Sequence, residues 1–198
     1  LMYENKTITE PKWKSWIIQT TTPLFTQEQC RQIISCGRAQ EPQQALVGAN
    51  SPEGRTDTKK RVTTISWIPF KKMSHMYEDL NLFIQKANKN HFGFEDIQIT
   101  EQAQFTEYPQ GGFYDWHMDC NTSFIYEPPV RKISMTLLLN DRSEFEGGDL
   151  ELLSPGKTVP LNQGHAVCFA SFLNHRVQPV TKGMRQSLVV WFGGKPFK

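Results

Sequence analysis

The run "GGFYDWHMDC", residues 111–120, carries an imidazole and a carboxylate two positions apart, His117 and Asp119, directly after two glycines. If a strand ends here, its period of two turns both side chains to one face, where they can share a metal ion. The pair alone is a weak signal: His-x-Asp is a common spacing, and two ligands hold a catalytic metal poorly. A third ligand is needed. His75 lies in the polar part of a helix, His91 in the loop leaving it, and His165 in an "NQGH" turn before a strand. His175 opens the β-like run "HRVQPV", and a hairpin-connected barrel can carry it opposite the first pair. Two imidazoles and one carboxylate on one face of an octahedron leave three positions open, which suits non-haem Fe(II) with room for a co-substrate and dioxygen. The bland alternative for His175 is a hydrogen-bonded strand histidine.

Arg185, Ser187, Val189 and Trp191 share one face of "RQSLVVWF". An arginine that starts an otherwise apolar strand is costly to bury unless a carboxylate meets it, and its planar fork suits such a group bidentately. Beside an iron site, the expected anion is a co-substrate that chelates iron at one end and offers a carboxylate at the other. 2-Oxoglutarate has that shape. Tyr108 falls on the polar face of its own strand, ahead of His117, and its phenol is a second candidate donor to the same carboxylate. The competing readings are a surface salt bridge for Arg185 and an ordinary half-buried strand residue for Tyr108.

These groups need elements to position them. "TQEQCRQIISCGR" opens with Thr26 and Gln29 in capping-box spacing, which predicts a helix with Cys30, Ile33 and Ile34 on one face. "MSHMYEDLNLFIQKAN" repeats Met73, Met76, Tyr77, Leu80, Phe83, Ile84 and Ala87 with helical period. "GANSPEGRTDTKKR", residues 48–61, reads as a long exposed loop before the strand "VTTISWI". Downstream, "IQITEQAQFTEY" alternates as one strand, and "RKISMTLLLN", "GDLELL", "HAVCFA" and "RQSLVVWFGG" follow as short β-rich runs. "DRSEFEGG", "SPGKTVPLNQG" and "PVTKGM" read as turns between them. Helices first and many strands afterwards predict a mainly β sandwich or barrel braced by N-terminal helices.

Taken together, "YPQGGFYDWHMD", "FEGGDLEL" and "LNHRVQPVTKGMRQSLVVWF" resemble the Fe(II)/2-oxoglutarate-dependent dioxygenases, in particular the prolyl 4-hydroxylase-like branch. The resemblance spans roughly residues 97–193. It implies a double-stranded β-helix (jelly-roll, cupin-like) core, with iron held by His117, Asp119 and His175. It also implies that Arg185 and Tyr108 bind the far carboxylate of 2-oxoglutarate, and that Trp191 lines the pocket near the reacting centre. The arginine is the choice of oxygen-sensing and many bacterial relatives, where collagen-type enzymes commonly use lysine. The implied reaction is hydroxylation of a C–H bond coupled to decarboxylation of 2-oxoglutarate to succinate, with dioxygen as oxidant and ascorbate in a supporting role. The implied substrate is a prolyl residue of a protein or peptide. A free amino acid, a lysyl residue or another small molecule is the alternative, and a non-catalytic jelly-roll metal-binding module is the rival from another class. The loop 48–61 stands where such enzymes carry a flap, so Arg55, Lys59, Lys60 and Arg61 are candidates to meet an acidic or phosphate-bearing partner, against a solvated loop. Trp116 and Asn174 have no assigned counterpart.

Composition sets the outer bounds. The 198 residues, 38% hydrophobic and 12% aromatic, suit one globular domain, with helical support and a substrate loop over about residues 1–95 and the catalytic core over about 96–194. A net charge of +2 argues against nucleic acid. No apolar run reaches the length of a membrane span and no leader pattern is visible, so a cytoplasmic monomer is expected. Cys30, Cys36, Cys120 and Cys168 lack knuckle or redox spacing and are expected to be reduced and mostly buried.

Overall fold

The computed structural model describes residues 15–44, 60–120 and 129–196. Helix α1, Gln27–Arg38, starts where the sequence predicts: the Thr26 hydroxyl accepts from the Gln29 N–H while the Gln29 amide oxygen accepts from the Thr26 N–H. Helix α2, Ser74–Ala87, buries Met76, Tyr77, Leu80, Ile84 and Ala87, its predicted apolar face.

Both helices cover one face of a large antiparallel sheet. Its order is β1 (Ile17–Gln19), β12 (Ala166–Ala170), β8 (Val130–Leu138), β15 (Arg185–Gly194), β6 (Ala103–Tyr108), β4 (Thr64–Ile68) and β2 (Gln43–Gln44), with β5 (Gln98–Ile99) also pairing to β15. A smaller sheet runs β11 (Thr158–Val159), β10 (Leu150–Leu152), β13 (His175–Val177), β7 (Phe113–His117) and β3 (Arg61–Val62). A ribbon of β9 (Phe145–Gly147) and β14 (Val180–Gly183) completes the set. This is the mainly β, double-stranded β-helix architecture that the motifs imply.

Alternation along the strands divides the interior into two cores. Leu137, Leu139, Ala166 and Cys168 point toward the helices and pack with Ile33, Leu80 and Ile84. Leu138, Val167 and Phe169 point the other way and meet Tyr108, Leu150, Leu152 and Val177 between the sheets. The functional site opens off this second core. None of the four cysteines is disulfide-bonded, and Cys30, Cys120 and Cys168 are buried.

The local reading fails where long-range pairing overrides it. The predicted single strand over 97–108 is two strands, because Thr100 leaves the ladder and its N–H donates to the Trp191 carbonyl. The supposed turns "DRSEFEGG" and "PVTKGM" contain β9 and β14, which pair with each other, and "SPGKTVPLNQG" contains β11. Strands this short have no periodicity to display; their hydrogen-bond partners alone define them. Most of the basic loop lies outside the described residues, but Arg61 does not belong to an exposed loop at all. It starts β3, pairs with Tyr114 of β7 and is buried.

Candidate metal centre

His117 ends β7 and His175 begins β13, and the two are directly opposed in the antiparallel ladder. Their rings lie 4.1 Å apart between centroids. Asp119 reaches them by a different route from the one that strand period predicts. It sits two residues beyond the end of β7, held by its N–H, which donates to the Ser171 carbonyl at 3.0 Å; the Cys120 N–H joins the same carbonyl at 2.8 Å. A contact with a distant strand end, not the pleat, thus aims the carboxylate. Asp119 Oδ1 lies 3.6 Å from His117 Nε2 and Oδ2 lies 3.5 Å from His175 Nε2. The three potential ligand atoms all fall within 4.8 Å of one another. His75 is exposed on α2, and His165 bonds to the Gln163 carbonyl; neither joins this group.

The hydrogen bonds behind the imidazoles test whether a cation fits. His117 Nδ1 is 2.7 Å from the Asp115 carbonyl and His175 Nδ1 is 3.0 Å from the Leu173 carbonyl. A carbonyl can only accept, so each ring proton is assigned to Nδ1 and each Nε2 presents a lone pair. Burial, then the neighbouring His175, pushes His117 down to about 3, so it is neutral at pH 7. Burial would raise the Asp119 carboxyl, but His175 and His117, then Arg131 and the Ser134 hydroxyl, outweigh it and hold the group well below the usual carboxylate range. Two nitrogen lone pairs thus face an ionised carboxylate at acceptor–acceptor distance, an arrangement that calls for a metal cation between them. Two imidazoles and one carboxylate are the donor set of a facial non-haem Fe(II) site.

Several further side chains support the group, of which the sequence singled out only Trp191. Ser134 of β8, fully buried, donates to Asp119 Oδ2 at 2.7 Å and contacts the Ser171 hydroxyl at 2.9 Å. Tyr114 stacks on the His117 ring at 3.4 Å, and burial pushes its phenol up to about 12. Trp191 is buried between Trp67, at 6.1 Å, and the Arg131 guanidinium, 3.7 Å from its ring. Glu101 grips Arg131 with two bonds of 2.7 Å. Arg131 opens an apolar strand just as Arg185 does, so the signal that singled out Arg185 was present there too. Ser134 had none: a serine inside an apolar run announces nothing until its partner is known.

Arg185 starts β15 opposite Tyr108 of β6, and both are buried. Its Nη1 donates to Ser187 Oγ at 2.8 Å, and its guanidinium carbon lies 5.5 Å from the Tyr108 ring. Among the described residues no carboxylate lies within ion-pair distance of Arg185, and burial lowers its pKa from the ordinary value. The double glycine of "FEGGDL" explains how the arginine is seated. A Cβ on Gly148, whose φ is +64, would come within 3.0 Å of Arg185 Cδ and 2.9 Å of Val180 Cγ2. Trp116 and Asn174 serve the scaffold: Arg176 lies over the Trp116 ring at 5.0 Å, and the Asn174 carbonyl accepts from the Leu153 N–H.

With this geometry in view, the likenesses to known proteins fall into place. Residues 103–193 match the 2OG-Fe(II) oxygenase superfamily. Over 95 residues the chain is 37% identical to a PKHD-type hydroxylase of Teredinibacter turnerae, covering 44% of this chain and 41% of that protein. The chain thus spans about two fifths of the length of the curated relatives it matches. In fold it is similar to a Pseudomonas putida prolyl-4-hydroxylase, with a TM-score of 0.66, 24% identity and coverage of 91% and 94% of the two chains. It is also similar to a Trichoplax adhaerens prolyl hydroxylase solved with a hypoxia inducible factor peptide fragment, with a TM-score of 0.64, 18% identity and coverage of 90% and 84%.

Proposed function

We propose that this chain is an Fe(II)- and 2-oxoglutarate-dependent hydroxylase whose substrate is a prolyl residue in a protein or peptide. The observation that carries the reading is the pairing of two sites that, among the described residues, each lack a counter-charge: the His117–Asp119–His175 group, suited to a cation, and buried Arg185, suited to an anion. His117, Asp119 and His175 would hold the iron; Arg185, backed by Tyr108, would hold the far carboxylate of 2-oxoglutarate. When bound, iron and 2-oxoglutarate would activate dioxygen, the oxidant, one of whose atoms ends in succinate as carbon dioxide leaves and the other in the hydroxylated substrate.

The chain's own residues do the rest. The Asp115 and Leu173 carbonyls fix both imidazole tautomers, and Ser134 fixes the carboxylate, so no ligand must reorganise on loading. Leu138, Leu150 and Leu161 line the space beside Arg185 and belong to the same apolar core as Tyr108, which limits water and strengthens charge pairing there. Trp191, wedged between Trp67 and Arg131, forms a rigid wall near the ligand group. The likeness in fold to a prolyl hydroxylase solved with a peptide supports a peptide substrate.

The test is succinate release with a matching gain of one oxygen in proline-containing peptides, followed by mass spectrometry. Both should disappear in His117→Ala and Asp119→Ala. Undiminished succinate in either variant would reject the ligand assignment, and oxygen gained only on residues other than proline would reject the prolyl substrate.

A further inference from the structure

Five described arginines meet a carboxylate: Arg31 with Glu28, Arg38 with Glu107, Arg131 with Glu101, Arg142 with Asp149 and Arg176 with Glu151. Arg61 and Arg185 do not, among the described residues, and they are the two that are buried, 8% and 3% exposed. A desolvated guanidinium without an anion is strongly unfavourable. The hydroxylase reading supplies the anion for Arg185. Nothing so far supplies one for Arg61.

Among the described residues Arg61 is held by neutral partners only. Its Nη2 donates to the Gln104 amide oxygen at 3.1 Å, and its guanidinium carbon lies 4.3 Å from the Tyr114 ring centroid. Its Nε is buried with no hydrogen-bond partner. Tyr114 is the ring stacked on His117, so Arg61 stands one aromatic ring away from the metal centre. Among the described residues the other buried side-chain donor without a partner is Trp191 Nε1. Trp191 shares a sheet face with Val189, which pairs with Gln104, and is itself paired with Ser134, the residue that bonds Asp119. Arg61, reaching Gln104 from the smaller sheet, and Trp191 thus both lie against the face of the large sheet that carries Ser134. One 2-oxoglutarate cannot satisfy both arginines. Gln104 and Tyr108 lie four residues apart on β6, about 13 Å along a strand, more than a five-carbon diacid spans while it also chelates the metal.

We propose that Arg61 receives a carboxylate of the molecule that is hydroxylated, with the indole N–H of Trp191 as a further donor. The inference rests on the hydroxylase reading and narrows its substrate to an acidic one. The carboxylate comes either from an acidic side chain beside the target residue of a peptide or from the target's own free α-carboxylate.

The experiment uses the full chain with Zn(II) in place of iron and saturating 2-oxoglutarate, and measures binding by calorimetry. Probes are matched acid–amide pairs: L-proline against L-prolinamide, and proline-centred pentapeptides with Asp against Asn or Glu against Gln at each flanking position. In at least one pair the acid should bind tighter by roughly ten- to hundredfold, the range for a hydrogen bond between charged groups; which pair does so identifies the source of the carboxylate. Arg61→Met should erase that preference while the amide probe keeps its affinity within about threefold, and Arg61→Lys should keep part of it. Arg61→Gln, which retains a polar contact with Gln104, replaces the Met variant if that one fails to fold. Equal binding of acid and amide in every pair, or a preference that survives loss of the guanidinium, overturns the proposal. Parallel mass spectrometry on the iron-loaded enzyme separates the two readings. Acid-dependent binding without oxygen gain at proline rejects the prolyl substrate and leaves Arg61 standing. Hydroxylation without any acid preference rejects Arg61 alone.

Discussion

Replacing Arg185 with methionine should change stability and co-substrate binding in opposite senses. Without 2-oxoglutarate Arg185 is 3% exposed and bonded to the neutral Ser187 hydroxyl, with no carboxylate in ion-pair distance among the described residues. Its burial therefore costs several kcal/mol that the Ser187 bond, net about 1–2 kcal/mol, only partly offsets. Methionine fills the space of the aliphatic stem, which packs against Gly148 and Val180, and brings no charge. The metal-loaded variant without 2-oxoglutarate should be as stable as the wild type or about 1–2 kcal/mol more stable. With 2-oxoglutarate the sign reverses. Losing one partner of a buried bidentate pair costs about 3–5 kcal/mol, which corresponds to roughly a hundred- to several-thousandfold weaker binding. Anaerobic titration of the Fe(II) protein with 2-oxoglutarate, followed by its visible charge-transfer band, reads the affinity; urea unfolding reads the stability. An affinity within about threefold of wild type would show that Arg185 does not hold the co-substrate. A variant that is destabilised by more than about 3 kcal/mol before 2-oxoglutarate is added would refute the claim that the site lacks an anion.

Ser134→Ala should weaken Co(II) or Fe(II) binding by about ten- to a hundredfold, because it frees Asp119 to rotate; an unchanged titration midpoint would mean the hydroxyl does not orient the ligand. Gly148→Ala places a non-glycine residue at φ +64 and a methyl against Arg185 Cδ, so it should cost about 1–2 kcal/mol of stability and weaken 2-oxoglutarate binding, both checked as for Arg185. Burial raises the Glu151 carboxyl, but the Gly156 N–H and Arg176 outweigh it and leave the group below its ordinary 4.5. Its contribution is therefore present above the unfolded-state value and lost as pH falls through the lower folded value. Glu151→Gln should be less stable than wild type by about 1–3 kcal/mol at pH 7, with the gap closing below pH 4.5; a gap that persists in acid would contradict the assignment.

Much of the site was legible because it is built from residues whose types are costly where they stand. His117, Asp119, His175 and Arg185 each raised a question of charge or ligation that a core residue does not. The capping box at Thr26 and the apolar face of α2 were legible for another reason: helical order is decided within a few residues. β9, β11 and β14 stayed hidden because a strand of two to four residues exists only through its partner. Arg61 looked like one more charge in a polar loop, and only its pairing with Tyr114 shows it to be buried beside the ligand group.

From the chain alone came the candidate donor set, the order of its parts and the expectation of an anion at Arg185, because residue chemistry and the burial that an apolar strand imposes are local properties. Register across sheets decided what those properties mean together. It set His117 against His175, let the Ser171 carbonyl and Ser134 aim Asp119, and left a second buried guanidinium with no anion among the described residues. Those relations join residues far apart in sequence, and hydrogen bonding between strands fixes them only once the chain has closed on itself.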